Sequence, residues 1–144
     1  IKVALFLQFG YLGETIEDIN KTIDMVKTIM PDEIGASVSY PLPGTKFYEK
    51  VKEQLIVKSN WTDSDDLDLM FKNTYSKDFY KVLHRYVHKN YRTQLSIQSF
   101  KKLKTFRVSS SDIYNIASIA YYYPSLVLTK NKLKKLDPDA SRGL

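Results

Sequence analysis

The sequence has 144 residues, 43% of them hydrophobic, no cysteine and a formal net charge of +6; that is enough chain to bury a core in one or two compact units, and it rules out a disulfide framework. No stretch approaches eighteen uninterrupted apolar residues and nothing resembles a secretory signal, so a membrane span is not expected and a soluble, cytoplasmic chain is. Charge is divided: residues 1–75 hold 8 Lys and 12 acids, a net −4, whereas residues 76–144 hold 14 Lys or Arg and 4 acids, a net +10.

In chain order, Val3-Ala4-Leu5-Phe6-Leu7 is a nearly continuous apolar run, which predicts a buried parallel strand covered on both faces. Gln8 to Thr15 carries Gly10 and Gly13 where the backbone must turn. Thr15 is placed to cap a helix, with Asp18 three residues on completing a capping box. Ile16, Ile19, Ile23, Val26 and Met30 then recur at helical spacing and define one apolar face. Pro31 ends that helix, and Ile34 to Tyr40 reads as a second strand. Strand, helix and strand make a right-handed crossover between parallel neighbours.

Gly44-Thr45 leads into a short helix over Lys46 to Leu55, with Phe47, Val51 and Leu55 on one side and Phe47 and Tyr48 packing beneath the second strand's end. The pattern is lost from Ile56 to Asn60, which sets the boundary between residues 1–58 and a helical region, residues 59–144. In Trp61-Thr62-Asp63-Ser64-Asp65-Asp66 the acids suit either a helix cap or a hard cation; the glycine and terminal Glu of a calcium loop are missing, and Leu67 to Phe71 suggest a brief helix. Asn20-Lys21-Thr22 and Asn60-Trp61-Thr62 match the glycosylation pattern, which has no use in a cytoplasmic chain.

Ser76 caps the next helix, whose buried stripe is Phe79, Val82, Leu83, Tyr86, Val87 and Tyr91. His84 and His88 share a face at the spacing two imidazoles need for one metal, but a closed zinc site requires more ligands than they supply. Leu95, Ile97, Phe100, Leu103 and Phe106 fit one helical stripe poorly, so a break is expected between Thr93 and Ser96. Ser109 to Asp112 forms another cap cluster, followed by a helix burying Ile113, Ile116, Ala117, Ala120 and Tyr121. Pro124 predicts a kink or restart, with Leu126, Val127, Leu133 and Leu136 in the final helix. Tyr121-Tyr122-Tyr123 could stack on a flat substrate or serve core and subunit contacts. The lysines of this half, among them Lys101, Lys102 and Lys104, either line solvated faces or meet an acidic or phosphate-bearing partner. No recognised nucleic-acid module is present, and nucleic acid is not an expected partner.

Phe9-Gly10-Tyr11-Leu12-Gly13-Glu14-Thr15, followed by Tyr40-Pro41-Leu42-Pro43-Gly44-Thr45-Lys46-Phe47-Tyr48, resembles the last two strand turns of the barrel in radical S-adenosylmethionine (SAM) enzymes. The usual forms there are Gly-x-Pro-Gly-Glu-Thr and Pro-x-Pro-Gly-Thr-x-x-Tyr, with Leu12 standing where Pro is common. The branch it is most similar to carries an upstream cobalamin-binding domain and includes the anaerobic Mg-protoporphyrin IX monomethyl ester oxidative cyclases and related methyltransferases. The resemblance implies an α/β unit followed by α, residues 1–58 being the closing strands of a partial (β/α) barrel. Ligands of such barrels gather at the carboxyl ends of the strands, which here are Gln8, Phe9, Gly10 and Gly13 with Tyr40, Pro41 and Leu42. Those residues are the expected SAM-contacting wall.

That family holds a four-iron, four-sulfur cluster with a Cys-x-x-x-Cys-x-x-Cys loop, and this chain has no cysteine. The resemblance therefore implies that cluster and cobalamin belong to an upstream part of the parent protein, that the small-molecule substrate is the parent's, and that the chain alone carries no catalytic residue. Two strands and one crossover helix leave sheet edges and a face open. Either a second copy pairs at Val3–Leu7 or Ile34–Tyr40, or the C-terminal helices fold over the sheet. The rival expectation is a non-catalytic α/β adaptor whose basic helical half binds an acidic partner.

Overall fold

A computed structural model of the chain describes residues 1–55, 71–106 and 108–136. The opening unit is β1 (Ala4–Phe9), α1 (Ile16–Ile29) and β2 (Glu33–Val38). The two strands are parallel neighbours, in register from Ala4 opposite Glu33 to Phe9 opposite Val38. At the amino end, Val3 and Asp32 hold each other: the Val3 N–H donates to the Asp32 carboxylate at 2.7 Å and the Asp32 N–H donates to the Val3 carbonyl at 2.8 Å. At the carboxyl end the Ser39 N–H closes the ladder on the Phe9 carbonyl at 2.6 Å. Both strands thus end level, and both outgoing turns leave from one edge.

The Thr15 and Asp18 capping box forms as the spacing predicts: the Thr15 hydroxyl oxygen accepts from the Asp18 N–H, and the Asp18 carboxylate accepts from the Thr15 N–H at 3.1 Å. Ile16, Ile19, Ile23 and Val26 are buried, and Met30 ends the helix in the left-handed region at φ 46°. The short helix at 46–55 is also as read: α2 (Lys46–Val51), capped by Thr45, runs into a 3-10 turn over Lys52–Gln54.

α3 (Lys77–Lys102) and α4 (Ser110–Leu136) form a helical hairpin. The Ser76 hydroxyl caps α3 by accepting from the Phe79 N–H at 3.2 Å. The predicted stripe of Phe79, Val82, Leu83, Tyr86, Val87 and Tyr91 is buried in one cluster with α1 and the strand residues Leu7, Phe9 and Val38. Tyr91 anchors this packing, its hydroxyl lying 2.7 Å from the carbonyl oxygens of both Pro31 and Asp32. Each large side chain closed in this way contributes about 1.5–3 kcal/mol.

Several expectations are corrected here. Among the described residues, the helices α1 and α3 pack on one face of the sheet. Leu5, Leu7 and Phe9 and, in register, Ile34, Ala36 and Val38 point into the cluster that contains both α1 and α3. The opposite face carries Ala4, Phe6 and Gln8, all exposed, with Phe6 67% accessible. Its ring lies across β2: a Cβ on Gly35 would meet the Phe6 ring at 3.0 Å. The continuous apolar run misled because Ala4 and Phe6, apolar as they are, sit on the exposed face.

α3 does not break at Thr93–Ser96. The Thr93 and Ser96 hydroxyls donate to the carbonyls of Lys89 and Arg92 at 2.8 and 3.0 Å, which satisfies these polar groups inside a continuous helix. With Ser99 they are buried, while Phe100, Leu103 and Phe106 are exposed. α4 likewise passes through Pro124 without restarting, and its buried residues are Asp112, Thr129 and Leu133 rather than Ile113 and Tyr121. The reason lies in what joins the helices: Ser99 and Lys102 donate to Asp112 at 2.8 Å each, Ser96 and Ser118 meet at 3.3 Å, and Lys89 donates to Thr129 at 2.8 Å. With a polar seam on the side toward α3, Ile113, Tyr121 and Leu128 of α4 lie outward, while Leu133 remains in the core.

The Asp63 to Asp66 cluster, the Asn60 glycosylation pattern and the brief helix at Leu67 to Met70 lie outside the described residues, as do Asp137 and Asp139. Phe71, also assigned to that helix, is described: it is buried and, with Val51, Phe47 and Leu55, forms a second small apolar cluster.

Candidate functional site

At the carboxyl end of the sheet the β1–α1 turn is shaped by two glycines with different jobs. Gly10 has φ +78° and is also closed in, since a Cβ there would meet Val38 Cγ1 at 2.9 Å and the Tyr80 ring at 3.3 Å. Gly13, at φ +80°, has nothing within 4 Å of where its Cβ would be. Gly10 is required by both backbone and space, and Gly13 by backbone alone. The Gly10 N–H donates to the Glu14 carboxylate at 2.7 Å, stitching the turn.

Tyr11, Leu12, Gly13, Glu14 and Asp18 border an open cavity of about 250 Å³. Tyr11 stacks on Phe47 of α2 with ring centroids 4.6 Å apart, and Phe47 meets Phe71 edge-on at 5.2 Å. The two predicted turns are thus brought together by an aromatic contact, Tyr11 coming from the first and Phe47 from the segment after the second. Burial pushes the Glu14 carboxyl up to about 7, against the lowering influence of the Gly10 hydrogen bond and assisted by the neighbouring Asp18 charge. Asp18 is held below the ordinary carboxylate range by its hydrogen bonds from Thr15. Two carboxyl groups at one cavity, with the first helical amides already engaged by the capping box, form a poor anion cradle. They suit a ligand that presents hydroxyls or positive charge.

Of the residues predicted to contact a ligand, Gln8, Gly13, Tyr40 and Leu42 are exposed at this end of the sheet. Phe9, Gly10 and Pro41 are buried, with Phe9 part of the main cluster. Alternation along β1 would have found this: Phe9 follows Leu5 and Leu7 on the helix-covered face, and Gln8 follows Phe6 on the open one. In the sequence Glu14 is one residue of a turn, and nothing local marks its raised proton affinity, which comes first from burial.

A second cavity, also about 250 Å³, lies at the amino end of β2 between Asp32, Glu33, Ile34, His88, Tyr91 and Arg92. His88 and His84 are adjacent, with ring centroids 4.6 Å apart, and His88 is pushed toward its neutral form by burial, then by His84 and Arg92. Among the described residues no group of three or more His, Cys, Asp and Glu side chains could hold a metal ion. More than fifty residues separate Asp32 from His88, so only the folding of α3 onto β2 makes this cleft. The predicted stacking tyrosines do not line either cavity: Tyr121 and Tyr123 are exposed, and Tyr121 meets Tyr122 edge-on at 5.2 Å. Among the described residues no helix is long and apolar enough to cross a membrane.

Comparison with protein-family models, with curated proteins and with solved structures finds no match to this chain.

Proposed function

We propose that this chain is the closing sector of a radical SAM enzyme barrel of the cobalamin-domain type, followed by a helical C-terminal region, and that it supplies part of the SAM- and substrate-binding wall without being active alone. The observation that carries this reading is the sidedness of the sheet. A parallel β1–β2 pair with α1 and α3 on one face and exposed Phe6 and Gln8 on the other is compatible with the layering of a barrel sector, with helices outside and the inner face turned to a lumen. Phe6, Gln8 and Gly35 would then face that lumen. Gln8, Gly13, Tyr40 and Leu42 are placed where a ligand at the strand ends would rest, and the Glu14 and Asp18 carboxyl groups accord with the hydroxyls and positive charge of SAM.

SAM supplies the radical chemistry in the parent protein. The residues of this chain bind and orient: Gly13 leaves space for close approach, and Tyr11 and Leu12 offer apolar surface at the rim of the cavity. The chain does not fit an iron–sulfur cluster, because it contains no cysteine and thiolates are the ligands such clusters take; no step through a cluster is assigned to it. The partner in this reading is the remainder of the same protein, acting in the cytoplasm on a small molecule.

The test uses the whole reading frame, purified anaerobically and reconstituted with iron and sulfide. Formation of 5′-deoxyadenosine and methionine from SAM, weakened by Gly13→Val at unchanged iron content, is the expected result. A whole protein with no three-cysteine loop and no bound iron would refute the assignment.

A further inference from the structure

The hairpin seam leaves α4 with an inverted surface. Its side toward α3 carries Asn115, Ser118 and Thr129, while its outward side presents Ile113, Ala117, Ala120, Tyr121, Pro124 and Leu128, all exposed. Leu128 is 71% accessible and Tyr121 67%. Residues at these positions fall within one side of a helix, and from Ile113 to Leu128 the strip runs about 22 Å. It contains no charged residue.

Charge sits at the two ends of the strip. Lys101 and Lys104 are exposed where α3 hands over to α4, and Lys132, Lys134 and Lys135 are exposed on the last turns of α4. Between Phe79 and Leu136 the sequence has a single acid, Asp112, and that one is buried, with Lys102 at 2.8 Å. The surface around the outer side of α4 therefore presents positive charge bracketing apolar groups, while the exposed acid of the hairpin, Asp78, sits in the first turn of α3.

We propose that the outer face of α4 is a docking surface for an anionic lipid interface. The aliphatic groups and Tyr121 enter the boundary between headgroups and acyl chains, and the lysines at each end meet lipid phosphates and carboxylates. Two alternatives fit less well. Pairing α4 antiparallel with a second copy about Tyr121 would bring the lysines at its end toward Lys104 of the partner copy, like charge against like. A nucleic acid would use the tyrosines and lysines but leaves Ile113, Ala117, Val127 and Leu128 without a role, since bases stack on aromatic rings. This surface is independent of the radical SAM reading and lies outside both cavities.

The experiment is co-sedimentation of the full chain with vesicles of phosphatidylcholine alone and of phosphatidylcholine mixed with phosphatidylserine. Uptake is expected on the mixed vesicles, falling as salt is raised. Tyr121→Asp with Leu128→Asp, and separately Lys132→Gln with Lys134→Gln, should each reduce uptake roughly tenfold or more. Both pairs are exposed, and circular dichroism would verify that helicity is kept. No uptake, or uptake indifferent to lipid charge, overturns the proposal. So does a sedimenting dimer that Leu128→Asp dissolves, or an oligouridylate captured with an affinity the Leu128 change leaves alone.

Discussion

The two halves of the molecule are held together by opposite means. β1, α1 and β2 close over aliphatic side chains, and their polar groups serve turns and caps. The α3–α4 hairpin keeps its apolar packing for the base, where Phe79 to Tyr91 meet the sheet. Farther along it is joined by Ser96, Ser99, Asp112 and Ser118, with Ile113, Tyr121 and Leu128 of α4 facing out. Burial of apolar surface is cooperative and tolerant of geometry, whereas a seam of hydrogen bonds depends on each partner being present. The second half should therefore hang on few residues, and those residues can be named.

The largest difference is expected between two leucines of α4. Leu133 is fully buried in the main cluster, and Leu133→Ala should cost about 2–5 kcal/mol; Leu128→Ala, on the outer face, should stay within about 0.5 kcal/mol. Equal effects in urea unfolding would mean that α4 is packed on both sides. In the first half, Gly10→Ala combines a left-handed backbone with a collision against Val38, an expected loss of roughly 2–4 kcal/mol. Gly13→Ala shares only the backbone strain, roughly 1–2 kcal/mol. Thermal melts of the pair separate space from dihedral.

A smaller loss is expected for Asp112→Asn, which keeps the shape and removes the charge that Lys102 and Ser109 hold. Because those hydrogen bonds lower the Asp112 pKa, its contribution is present above the ordinary carboxylate range and is lost as pH falls through its depressed folded value. The variant should melt lower at neutral pH and approach the parent in acid. Glu14 runs the other way. Its carboxyl is raised from 4.5 to about 7, so its contribution is whole below about 4.5 and fades as pH rises through about 7. The effect should be at most about 2 kcal/mol, given its partial access to solvent. Glu14→Gln should flatten stability between those limits, and an unchanged slope would place the titration elsewhere.

These contrasts also explain what was legible. Thr15, Asp18 and the isoleucines of α1 act through neighbours three and four residues away, so spacing alone located the helix, its cap and the parallel pairing around it. The sidedness of β1 was readable in principle from Leu5, Leu7 and Phe9, but Ala4 and Phe6 hid the alternation. α4 was misread for a firmer reason: rules that send apolar residues inward assign Ile113 and Tyr121 to a core. A seam of serines and a buried Asp112 reverses that assignment, and the α3 partners of Asp112, Lys102 and Ser99, lie ten and thirteen residues away across a turn. The candidate site was half visible. Gly10 and Gly13 marked the turn, but the proton affinity of Glu14 depends on what folding places around it.

Phe6 resting over Gly35 makes the sheet self-aligning. In a parallel pair a slip of two residues keeps the same faces, and hydrogen bonding alone penalises it weakly; here it would set the ring over Glu33 or Ser37, each of which has a β-carbon where Gly35 has none. The notch favours the tongue at one position, adding to the Val3–Asp32 pair that sets the level of the strands at their other end.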